Sequence, residues 1–166
     1  NLFFKRDYSN LSPRVGLIKT LPNGSQWYGN VSGSFEPPSF GELGVAGATA
    51  QFTINNRAQE ALSVELGQRG KVGNWAWDTT LYYAQIDDEL MATVIPGTTL
   101  SSTFNVANTE RLGLEAGWSH RMGPWVVRNS SLINHFRFDG DPDFGNNRIA
   151  GIPAASTRLA LDRQLE

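Results

Sequence analysis

Cysteine is absent from the 166 residues, which excludes disulfides and thiolate chemistry and says nothing of compartment. Charge is scarce too: Asp, Glu, Lys and Arg make up 18% of the chain, below the roughly 25% usual in soluble domains. The net charge of −2 and the lack of a basic stripe argue against a nucleic-acid partner. No apolar run approaches the ~18 residues of a transmembrane helix. The run at Leu2-Phe3-Phe4 is too short for a signal peptide. The sequence contains two histidines. His120 and His135 read as lying near opposite ends of one strand, tens of ångströms apart at roughly 3.3 Å per residue, so they share neither a metal nor a proton relay.

What is present is glycine (17 residues), tryptophan (5) and alternation. In residues 29–35, Val31, Gly33 and Phe35 point one way and Asn30, Ser32 and Ser34 the other, the period of a strand with one apolar or small face and one polar face. Pro37 and Pro38 end it, lacking an N–H for the ladder. Residues 62–69 alternate cleanly, as do 75–86 and 104–119. Residues 11–19 and 154–162 read as further strands; 125–138 is another, with poor phasing because Asn129 and Ser131 fall on the face led by Trp125 and Val127. A bulge is expected there first. Short turns are read at 21–25, 70–74 and 120–124, with Asn23-Gly24 supplying positive φ at the first. Long connections are read at 36–57, at 87–103 with a break at Pro96-Gly97, and at 139–147.

Short and long connections therefore alternate. In an up-and-down meander this puts tight turns on one rim and long loops on the other, the layout of an outer-membrane β-barrel. Trp27, Trp75, Trp77, Trp118 and Trp125 all fall on the apolar face within a few residues of a short turn. Tryptophan favours the membrane–water interface, so these five read as half of an aromatic girdle. A soluble β-barrel that binds a small molecule, with the apolar face turned inward, fits the same strands, as does a structural outer-membrane β-protein without a ligand.

No catalytic constellation emerges, so no enzyme is expected, and no cofactor motif is present. Gly41, Gly44 and Gly47 precede no helix pattern and read as a flexible loop. Asp139, Asp141 and Asp143 raise a calcium hypothesis, but Phe144 and Ala150 stand where an EF-hand wants glycine and glutamate. A solvated loop tip is the simpler reading.

Residues 32–43 (S-G-S-F-E-P-P-S-F-G-E-L) strongly resemble a barrel motif of TonB-dependent outer-membrane receptors. So do residues 11–17 (L-S-P-R-V-G-L), 64–70 (V-E-L-G-Q-R-G), 108–116 with its G-L-E core and 146–153 (N-N-R-I-A-G-I-P), in the family's order. Gly33 stands where many relatives carry a basic residue, and Ala58 where they often have proline. The resemblance implies an all-β, antiparallel up-and-down meander of about seven strands, part of a 22-stranded plugged transmembrane barrel in the outer membrane of a Gram-negative bacterium. Residues 1–166 are then a partial barrel domain, an internal piece of its C-terminal half, without a plug, a TonB-contacting segment or a terminal aromatic. Its partners would be outer-membrane lipid, a small ligand such as a ferric siderophore, cobalamin or another cofactor taken up as cargo, and the TonB complex through the missing N-terminal region. Glu65, Arg69, Asp78, Arg111, Glu115 and Arg128 would line the lumen, because arginine on the lipid face costs roughly 2–4 kcal/mol near mid-bilayer. Recognition would fall to the long connections, with Glu36, Phe40, Asp139, Asp141 and Asp143 as candidate positions.

Overall fold

The computed structural model describes residues 7–43, 56–94, 97 and 99–164. Within them run β1 (Arg14–Thr20), β2 (Gln26–Glu36), a 3-10 turn (Phe40–Leu43), β3 (Gln59–Val72), β4 (Trp75–Asp87), β5 (Leu90–Val94), β6 (Ser101–Asn105), β7 (Asn108–Met122), β8 (Trp125–Phe138) and β9 (Ala155–Arg163). Seven strands form one sheet in the order β1-β2-β3-β4-β7-β8-β9, and β5 pairs only with β6. Every pairing is antiparallel. This is the expected meander.

The tight turns follow from glycine. Val72 pairs with Trp75 and Met122 with Trp125, so Gly73-Asn74 and Gly123-Pro124 are two-residue loops. Gly73 and Gly123 have φ of +56° and +58°, and a glycine in that first position gives a backbone twist matching the flanking strands. The first turn is longer. Gly24 takes φ +80°, while Asn23 accepts hydrogen bonds from the Ser25 backbone N–H (3.0 Å) and hydroxyl (2.6 Å).

Successive turns are staggered. The row that closes the first hairpin, Thr20–Gln26, continues through Arg69, Asp78, Gly117 and Ser130. It crosses β4 three residues short of Trp75. The row that closes β3–β4 in turn meets β8 at Val127, two residues short of Trp125. A steady offset of this kind is the shear of a barrel wall whose strands tilt.

The second long connection is not the loop expected from sequence. Asp88 takes φ +54° and ends β4, and β5 and β6 then rise as a separate hairpin. The strand read as 104–119 accordingly starts at Asn108, and Phe104 belongs to β6. Five-residue strands are too short to announce themselves by period alone. Pro96 and residues 44–55 of the first connection lie outside the described residues.

The packed core sits at the loop end of the sheet, beneath these connections. Val106, Phe138 and Ile149 are buried, with Met91, Phe104, Phe136, Phe144 and Ile152 packed around them. Phe138 and Phe144 stack at 4.5 Å. Along the sheet, by contrast, Leu17, Leu66, Leu81 and Leu159 are all at least half exposed.

Candidate functional site: a two-faced wall and its loop block

Cross-strand register assigns each side chain to a face, since directly paired residues share one. Glu65, Arg69, Asp78, Arg111, Glu115 and Arg128 all lie on one face; Trp27, Trp75, Trp77, Trp118 and Trp125 all lie on the other.

The polar face is knitted across strands. Asn30 donates to Glu65 at 2.6 Å. Arg69 donates to Gln26 at 2.8 Å and lies over the Tyr28 ring. Arg128 pairs with Asp162, and Arg111 with Glu89 while covering Phe136. Two tyrosines not among the candidate site residues do the longest-range work. Tyr28 on β2 crosses Gly67 on β3 and reaches β4, where its hydroxyl donates to Asp78 (2.7 Å) and meets Thr80 (2.6 Å). Tyr82 on β4 crosses Gly113 on β7 and donates to Asn134 on β8 at 2.9 Å. Beside the Tyr28 strut a cavity of about 420 Å³ opens, lined by Tyr28, Asp78, Thr80, Glu115, Ser130 and Leu132. Among the described residues no group of three or more His, Asp or Glu side chains could hold a metal.

The apolar face is banded. Trp27, Trp75 and Trp125 are exposed. Trp77 lies over Gly70 and donates to Gln68 at 2.9 Å. Trp75 contacts Trp118 at 5.4 Å and stacks on His120 at 4.2 Å. Ionisable side chains on this face of the sheet are confined to its ends. Lys19, His120 and Arg163 share the tryptophan end; Glu60, Asp87, Glu110, His135 and Arg137 the other. Everything between is uncharged.

The register of β7 with β8 is continuous from Thr109–Phe138 to Met122–Trp125, so the bulge expected in β8 is absent. Asn129 and Ser131 do lie on the apolar face, where they satisfy each other and Thr157 at 2.8–3.0 Å. The two histidines are on neighbouring strands rather than one. His135 pairs with Leu112, eight positions from His120, or about 27 Å, which still precludes a shared ligand.

The long connections are tied into one block. Asn56, buried, donates to the carbonyls of Glu42 (2.9 Å) and Thr103 (2.8 Å). Asn105 accepts from the Arg57 N–H and donates to the carbonyls of Arg57 and Asp88. Arg57 also pairs with Asp88 at 2.5 Å. Glu89 is buried and takes hydrogen bonds from Thr109 and Arg111. Asp141 is likewise buried rather than part of a solvated tip. It accepts from the backbone N–H groups of Ala107 (2.8 Å), Asp143 and Phe144 (both 2.9 Å). Burial alone would raise its pKa, but these three donors outweigh burial and hold the carboxyl below its ordinary value. Asp141 is thus a bracket between loops, and the three aspartates do not converge: Asp143 is exposed and Asp139 only partly buried. Glu36 is exposed, accepting from Gln59 at 2.7 Å, and Phe40 is 74% exposed.

Residues 1–165 match the family model for the β-barrel of TonB-dependent receptor-like proteins. No curated protein matches the sequence. Among solved structures, a copper transporter, OprC, superposes with a TM-score of 0.75 at 16% identity, over 92% of this chain and 24% of its own. The FrpB iron transporter from Neisseria meningitidis gives a TM-score of 0.61 at 18% identity, over 84% of this chain and 22% of its own. The chain thus spans about a quarter of either relative's length. At these identities the likeness is one of fold, and both relatives are transporters, not enzymes. By its family match over nearly its whole length, the chain belongs to the TonB-dependent receptor β-barrel family.

Proposed function

We propose that this chain forms part of the wall of an outer-membrane TonB-dependent receptor, with its tryptophan face against lipid and its charged face against the lumen. The observation that carries this reading is the uncharged band. On β7 it runs from Glu110 to His120, ten positions, or about 34 Å along the strand. At the ~40° tilt of barrel strands that is about 25 Å upright, the height of a barrel's apolar belt. The inverted arrangement of a soluble barrel would bury the tryptophans and leave Glu65 and Glu115 outside.

The loop block then stands at the outer mouth. It leans toward the lumen side, since Ile86, Thr109, Phe136 and Phe138 all lie on the charged face. Ligand recognition falls to its exposed parts, Phe40 and Asp143 among them. The imported ligand is a scarce metal or a small metal complex, the class to which copper and iron belong; a ferric siderophore is one member. Energy would come from a TonB complex engaged by a part of the receptor outside this chain.

These 166 residues contain no cysteine, so any cysteine elsewhere in the intact protein is first replaced by serine. Single cysteines at Leu66 and Leu81, and at Glu65 and Thr80, are introduced into the intact protein in bacterial outer membranes. A water-soluble maleimide should label the second pair and spare the first; the reverse pattern would overturn the orientation. Uptake of labelled iron and copper in cells with and without the protein tests the ligand class separately.

A further inference from the structure

Glycine leaves a gap in the tryptophan face. Gly29 stands in register between Leu17 on β1 and Leu66 on β3, where every neighbour on that face carries a side chain. Around it lies an open apolar groove of about 710 Å³, lined by Val15, Leu17, Trp27, Val31 and Leu66, with Lys19 at one end. Lys19 is directly paired with Trp27 on the same face. It is exposed, and no carboxylate among the described residues pairs with it. Arg137, at the opposite end of the same face, is by contrast tied to Glu110 at 2.5 Å.

We infer that this groove is a binding site for a single anionic phospholipid, with an acyl chain in the groove and the phosphate held by the Lys19 ammonium beside the Trp27 indole. The inference rests on the membrane orientation proposed above and goes beyond it by naming one lipid and its anchor. Three features select this occupant. Apart from Lys19, the lining residues on the tryptophan face are apolar, while Tyr28, Asn30 and Glu65 turn to the opposite face, which suits a hydrocarbon chain. The groove runs along β1 from Val15 to Lys19, four residues or about 13 Å, so the upper part of an extended acyl chain lies along it and the rest continues into the bilayer, whereas a compact solute leaves it part empty. Its one charge sits at the tryptophan end, where the uncharged band stops and headgroups begin. An exposed ammonium there can take a phosphate oxygen as a charge-assisted contact.

The test uses the intact protein that carries this chain, purified in non-ionic detergent and examined by native mass spectrometry with dipalmitoyl phosphatidylglycerol or phosphatidylcholine. Phosphatidylglycerol should be retained at a roughly tenfold lower concentration, the scale of one charge-assisted contact. Lys19→Glu should remove that preference and leave phosphatidylcholine retention unchanged. Val31→Trp, filling the groove, should weaken both. Lys71→Glu, on the opposite face near the same rim, should leave the preference intact. Equal retention of the two lipids by the unaltered protein, or a preference that survives Lys19→Glu, would overturn the inference. Full competition by glycerol 1-phosphate would also overturn it, by making the site one for free phosphate. Failure of the protein to insert into vesicles at all would instead overturn the orientation on which the inference stands.

Discussion

Tyr82 lies across Gly113, its directly paired partner on the next strand, so closely that a Cβ at Gly113 would sit 2.2 Å from the ring's Cζ. The missing side chain is what lets the hydroxyl reach Asn134 one strand further on. Tyr28 and Gly67 repeat the arrangement, again with a would-be Cβ at 2.2 Å. Each tyrosine therefore fastens three strands on the charged face, where the sheet has no packed core of its own.

Gly113→Ala should displace the Tyr82 ring and break its bond to Asn134. The expected cost is about 1–3 kcal/mol for the overpacking plus about 1 kcal/mol for the hydrogen bond, read from urea unfolding of the intact barrel in bilayers. Tyr82→Phe should cost only the second part. In a double-mutant cycle, Gly113→Ala should be nearly silent in a Tyr82→Ala background; an additive result would mean the ring and the glycine do not interact.

Arginine at Leu81, in the middle of the uncharged band, should destabilise insertion by roughly 2–4 kcal/mol. Arginine at Thr80, next along the strand but on the other face, should cost far less. Equal penalties in bilayer refolding would mean that both faces see the same surroundings.

Asp141 fixes a pH window for the loop block. Its folded pKa lies below the unfolded value, so the stability it contributes is fully present above the ordinary carboxylate range and is lost only as pH falls through the depressed folded value. Hydrogen exchange at the Ala107 and Phe144 amides, corrected for intrinsic rates, should be flat from neutral pH to about pH 5 and accelerate only in stronger acid. Asp141→Asn should expose the same amides at neutral pH. Loosening of the unaltered protein near pH 6 would rule out this bracket.

Asn56→Ala removes the donor that joins the carbonyls of Glu42 and Thr103. Both lose a partner at a buried junction, at a cost of about 1–3 kcal/mol. The first long connection should become more readily cut by added protease on intact cells, with the transmembrane fragments left whole. Unchanged cleavage would show that other contacts hold the connection.

Outside a membrane the chain alone should not fold as a stable monomer. β1 and β9 pair on one side only, leaving open edges, and Leu17, Leu66 and Leu159 lie exposed on one face. Expression without detergent should give inclusion bodies; a sharp monomer peak with cooperative thermal unfolding would contradict this.

The sequence by itself determined which face each strand residue takes, because a period of two is a local property of extended backbone. The same alternation that set Glu65 and Glu115 against Trp77 and Trp118 reappears in the ladder. It also determined the tight turns, through glycines with positive φ, and with them the hairpins β1–β2, β3–β4 and β7–β8, whose short turns leave their strands no other partner. Only the tertiary structure decided the rest. That Tyr82 meets Gly113, some thirty residues away, depends on register, which alternation leaves free by steps of two. Asn129 and Ser131 looked misphased because their satisfaction by Thr157 comes from a strand not yet paired. Asp141 and Asn56 resembled ordinary polar loop residues until three connections folded together and their backbone groups needed partners away from water. Strands carry their pattern along the chain; loops acquire theirs only from what they are packed against.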